Sequence, residues 1–163
     1  MRTTKYKGYD KEGRCWRYGY YFLKEDITLC AIYDSKEQYE KDKENNEHHL
    51  ILWNGFSDWN MPKQHYQSEV DGKSVGQSTG IYDKNGKEIY EGDIVKFDKN
   101  CCNGMGVIRF GKHFSNCGSC GEYGKLDLFG FYIEATNHSC ELCNFVELSE
   151  YIEVEIIGNE YAN

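Results

Sequence analysis

Proline occurs once in this chain, at Pro62. Near-absence of a residue that cannot donate to a strand ladder suits a protein rich in β-structure. Long apolar runs are missing as well; the longest candidate, Leu128 to Ile133, is far too short to cross a membrane. No apolar stretch follows the charges of Met1-Arg2-Thr3-Thr4-Lys5-Tyr6-Lys7-Gly8, so no secretory signal is read. The expectation is a soluble, cytoplasmic protein without membrane contact. Basic residues are outnumbered, 19 against 27 acidic ones, and the net charge of −8 opposes non-specific binding to DNA or RNA. A local basic patch remains compatible with that balance. So does an acidic protein that competes for a partner's nucleic-acid groove. No phosphate-cradling glycine loop and no nucleophile elbow occurs.

Aromatic residues offset a low apolar share of 39%, because each buried ring removes a large area from water. Fourteen Tyr and eight Phe fit half-buried strands. Thr3 to Tyr9 and Cys15 to Phe22 read as strands around the turn Asp10-Lys11-Glu12-Gly13, and Ile27 to Tyr33 is a third apolar run. Ser35 to Glu47 is polar; Ser35 with Gln38 three residues on suits a capped, weak helix, against a solvated excursion as the competing reading. Leu50 to Trp53 reads as a strand. Asn54 to Gln67 reads as a loop holding Phe56, Trp59, Met61 and Pro62. Trp53, Phe56 and Trp59 are the candidate partner-binding residues, with burial as core plugs the competing account.

Asp71-Gly72-Lys73 marks a boundary, dividing a strand-rich part, residues 1–74, from residues 75–163. In the second part, Asn85-Gly86 is the preferred pair for a tight hairpin turn because both residues tolerate positive φ. Short strands follow at Ile94 to Asp98, Met105 to Phe110, Lys125 to Ala135 and Tyr151 to Ile157. The fold class is therefore mainly β with minor α: a strand-rich N-terminal subdomain, then a small barrel or roll, whose Gly92-Asp93 pair before an apolar strand resembles the entry to SH3-like barrels. Asp10 to Arg14 echoes Asp83 to Lys87, and independent use of the same turn chemistry accounts for the echo.

The run from Gln77 through Tyr82-Asp83-Lys84-Asn85-Gly86-Lys87-Glu88-Ile89-Tyr90-Glu91-Gly92-Asp93 to Phe97 closely resembles the signature of the YopX family of bacteriophage and prophage proteins. Lys5-Tyr6-Lys7-Gly8-Tyr9-Asp10 with Trp16-Arg17-Tyr18-Gly19 is similar to the family's opening. Gly130-Phe131-Tyr132-Ile133-Glu134 and Val154 to Asn163 are similar to later parts. Ser35 to Asp71 is the least recognisable stretch. The resemblance implies an N-terminal part that is α/β or mainly β, a C-terminal SH3-like barrel, a phage or prophage origin, action inside the infected or lysogenic bacterium, a homo-oligomer, and no established catalytic residues. The cysteines at 101–102, 117–120 and 140–143 depart from the family pattern.

Eight cysteines are many for a reducing compartment, which directs attention to metal binding or burial. Cys117-Gly118-Ser119-Cys120 and Cys140-Glu141-Leu142-Cys143 match the spacing of a structural zinc site with four thiolates. Zinc is thus the candidate cofactor. Against it, a straight strand over Lys125 to Ala135 would span roughly 35 Å and hold the two pairs apart. Reduced thiols are the competing reading, and disulfides within each pair the third. His113 and His138 flank the pairs as alternate ligands or surface residues. Cys15 and Cys30 read as small hydrophobes.

Asp83, Glu88, Glu91 and Asp93 crowd four carboxylates into one stretch. Turn formation explains them: Asp83 and Asp93 accept backbone N–H bonds, while Glu88 and Glu91 stay in water. No catalytic residue is assigned and no enzyme is expected. The leading reading is a phage-encoded, non-enzymatic accessory protein that acts by protein–protein interaction, with a host protein as candidate partner. The alternative is a zinc-stabilised nucleic-acid-binding module, with Lys112, His113 and Lys125 as local positive charge.

Overall fold

The computed structural model describes residues 4–26, 33–55, 63–99, 102–115, 126–138, 145–148 and 152–162. The protein is mainly β, with two antiparallel sheets and one short helix. The chain divides into two compact units, Met1–Val75 and Gly76–Asn163. None of the described helices is long and apolar enough to cross a membrane.

In the first unit, β1 (Tyr6–Asp10), β2 (Cys15–Glu25), β3 (Glu47–Asn54) and β4 (His65–Glu69) lie in the order β4-β3-β2-β1. Register pairs Tyr20 with Leu52 and Phe22 with Leu50 on one face, and Tyr21 with Ile51 and Ser68 on the other. Ile51 is fully buried, which marks the second face as the core side. Strand β4 lies within and beyond the stretch read as a loop; its side chains are nearly all exposed, so burial left no pattern there. The helix α1 (Lys36–Asn46) opens as expected: Ser35 Oγ accepts the Gln38 N–H at 3.2 Å. None of its residues is buried, so capping and the Lys36–Glu40 and Lys43–Glu47 pairs support it locally.

Asp10 ties this unit together. Its buried carboxylate accepts the Gly13 N–H at 2.7 Å, the Ser68 hydroxyl at 2.6 Å and the Arg17 guanidinium at 3.1 Å. The Ser68 hydroxyl, then the Gly13 N–H and, against the opposing effect of burial, Arg17 hold its carboxyl down at about 2. A depressed folded value stabilises the fold above the ordinary carboxyl range, and that contribution is lost as pH falls from 3.8 towards about 2. We expect the thermal midpoint to drop across this window in the parent chain. In Asp10→Asn the drop should be shallower and start from a lower midpoint at pH 7. Parallel profiles for the two proteins would contradict this role.

In the second unit, β5 (Gly76–Tyr82) and β6 (Glu88–Tyr90) form a hairpin. The other strands are β7 (Asp93–Lys99), β8 (Cys102–Ser115), β9 (Leu126–His138), β10 (Phe145–Glu147) and β11 (Glu153–Asn159). They make a five-stranded sheet in the order β10-β9-β8-β7-β11. Ile89, Val95, Phe97, Ile108, Ile133, Val146, Leu148, Ile152 and Val154 pack as its core. The SH3-like barrel expected for residues 75–163 is not detected as a closed barrel among the described residues. Closure requires the outermost strands to pair, and β10 and β11 stand at opposite edges, paired to β9 and β7.

Candidate functional site

The central hairpin is built by its acidic residues. Asp83 and Lys87 close a three-residue loop: the Asp83 N–H donates to Lys87 O and the Gly86 N–H to Asp83 O. Only Gly86 of the Asn85-Gly86 pair has positive φ, +78°, so the expected two-residue turn is instead a turn ended by a left-handed glycine. The buried Asp83 carboxylate accepts the N–H groups of Asn85 (2.9 Å), Lys87 (2.8 Å) and, from β11, Ile156 (3.3 Å). Burial pushes this carboxyl up, but the three backbone bonds outweigh it and leave the net shift downward. Lys84 adds an N–H bond to Val154 O at 2.9 Å, so the turn covers the outer edge of β11.

Asp93 accepts the Tyr90 N–H at 2.9 Å and Asn159 Nδ2 at 3.2 Å. Glu88 and Glu91 do not remain in water as expected. Glu88 accepts from Ser78 Oγ at 2.6 Å and from the Tyr90 hydroxyl at 2.9 Å. Half-buried Glu91 is pushed up mainly by desolvation. Nearby Arg109 is already held by Glu134 (3.1 Å) and Glu160 (2.6 Å). These groups are committed to holding backbone and to one another, which is scaffold chemistry.

Of the aromatic residues singled out, Trp53 sits half-buried on the core side of β3. It is stacked on Tyr66 at 5.9 Å, with the Arg17 guanidinium 5.1 Å from its ring centre. Among the described residues, one exposed aromatic row lies on a different strand. Tyr18, Tyr20 and Phe22 alternate along one face of β2 at 48%, 44% and 54% exposure, with Leu50 and Leu52 opposite. Sequence reasoning missed this row because Tyr21, on the other face, breaks the apolar–polar alternation. The second unit carries a groove of about 740 Å³ on its sheet, lined by Lys84, Lys96, Asp98, Met105, Glu153 and Glu155 among others.

The family model described as YopX protein matches residues 5–163. The chain belongs to the YopX family. No curated protein and no solved structure matches it. The signature run of this YopX-family chain is thus the segment whose carboxylates build the central hairpin and cover the edge of β11.

Phe56, Trp59, Cys117, Cys120, Cys140 and Cys143 lie outside the described residues. No group of three or more His, Cys, Asp or Glu suited to a metal ion occurs among the described residues. Between the two cysteine pairs, β9 runs for 13 residues, about 40 Å if straight. At the β8 end, His113 is buried and stacked on Tyr132 at 4.6 Å, and its Nε2 has no hydrogen-bond partner among the described residues.

Proposed function

We propose that this YopX-family chain is a phage-encoded, non-enzymatic accessory protein that works by binding another protein, with a factor of the bacterial host as candidate partner. It would act in the cytoplasm of the infected or lysogenic cell, as a homo-oligomer. The Tyr18, Tyr20 and Phe22 row carries the proposal: three large rings half in water on one strand face form the kind of patch that binding sites use. At its far end Glu69 stands opposite Leu50 on the same face, beside Lys24 and His48, and the net charge of −8 favours a basic partner surface.

Affinity capture from host lysate, reconstitution with the purified partner and titration of Tyr20→Ser/Phe22→Ser test this. We expect at least about tenfold weaker binding with only a small drop in thermal midpoint, since both rings are about half in water and lose only their cross-strand contacts with Leu52 and Leu50. Reconstituted binding that ignores both substitutions would refute the assignment of this face.

The finer fold reading, an SH3-like small barrel over residues 75–163, draws support from the shared core: Val146 of β10 and Val154 of β11 enter one cluster from opposite edges of the sheet. A second functional reading, the zinc-stabilised nucleic-acid-binding module, draws support from His113, four residues before Cys117, whose Nε2 has no hydrogen-bond partner among the described residues. Metal analysis of untagged protein and gel shifts at low salt separate the two readings.

A further inference from the structure

The outer face of the five-stranded sheet carries a charge arrangement that the fold does not require. Register sets Glu153 directly opposite Asp98 across β11 and β7, and both are exposed. Like charges placed so oppose pairing. Neither makes an ion pair among the described residues, although Glu153 lies within the field of Lys84. Two residues back along β7, Lys96 stands opposite Glu155 on one side and Met105 on the other. Glu155 is taken by Lys84 Nζ at 2.6 Å, which leaves Lys96 without an ion pair among the described residues. These side chains line the groove of about 740 Å³, and Met105 is 38% exposed in its middle.

We propose that this groove binds an extended peptide segment of another protein, with an arginine set between Asp98 and Glu153 and an acidic side chain, two residues along, set on Lys96. A guanidinium presents five donors in one plane and can serve two carboxylates at once. Asp98 and Lys96 are neighbours on one strand face, about 6.6 Å apart, and an extended peptide repeats its own side chains at that spacing. The Met105 thioether offers an adaptable apolar rest for the arginine stem. Calcium takes about six to eight oxygen ligands, more than Asp98 and Glu153 supply, whereas a guanidinium is satisfied by the two carboxylates. The site lies in the second unit and goes beyond the aromatic face of β2.

The test uses the full chain and a capped pentapeptide, acetyl-Ala-Arg-Ala-Glu-Ala-amide, titrated by amide NMR at low salt. Shifts at Asp98, Met105 and Glu153, saturating at millimolar peptide or below, are expected. Asp98→Asn/Glu153→Gln should weaken binding by at least about tenfold. That variant should melt no lower than the parent, because the opposed carboxylates are gone. Lys96→Glu should weaken this peptide yet spare one with alanine in place of glutamate. No shifts at millimolar peptide, full affinity in the double variant, the same shifts with calcium alone, or binding that follows Tyr20 and Phe22 would each overturn the proposal.

Discussion

Asp83→Leu should destabilise the second unit by about 3 kcal/mol, because it leaves three backbone N–H groups without their acceptor. Each orphaned donor costs roughly 1–3 kcal/mol, and the lower end applies to Asn85 and Lys87, whose exposed turn readily admits water. Ile156 on β11 is half-buried and recovers less. Urea unfolding should show a lower midpoint with an unchanged slope. Asp83→Asn keeps an acceptor and should lose less than half as much. It should also respond less to acid, because the aspartate's downward shift means that its stabilisation is lost as pH falls below 3.8. A leucine variant within experimental error of the parent would mean that the carboxylate does not hold this turn.

Gly19→Val should cost about 3 kcal/mol or more, through steric overlap in the first unit. Gly19 lies on β2 beside the core-facing Tyr21 and Ile51 positions. A methyl group there would overlap the carbonyl oxygen of Leu52 and press on Ile51 Cγ2 at 3.2 Å. Backbone cannot yield as a side chain tip does, so β2 and β3 must part at the place where Ile51 is fully buried. Gly130 supplies the contrast: nothing lies within 4 Å of an added methyl group and its φ is not positive. Gly130→Ala should be neutral or stabilise by about 0.5 kcal/mol through the unfolded chain. Equal losses in the two variants would show that close approach at Gly19 is not the cause.

The sequence was most readable where side-chain chemistry is local. Asp83 and Asp93 announce turns because a short carboxylate reaches N–H groups two to four residues away along the chain, and Ser35 announces a helix start for the same reason. The YopX match over residues 5–163 was visible for that reason too, since its central run is made of such turn residues. Long-range pairing was less readable. Glu88 and Glu91 seemed destined for water until Ser78, Tyr90 and Phe110 came alongside. The solvent row on β2 was hidden because aromatic residues occupy both faces of that strand. The groove depends on which residues stand across from Asp98 and Lys96, and register is a property of the folded sheet.

The covered rim of β11 bears on how the protein behaves when crowded. Outward-pointing amide and carbonyl groups on a terminal strand can recruit a neighbouring molecule and begin uncontrolled polymerisation. Here the Ile156 amide and the Val154 carbonyl are both occupied by the adjoining loop. At high concentration this YopX-family protein would thus carry its own stopper against fibre growth, in the same turn whose carboxylate builds the central hairpin.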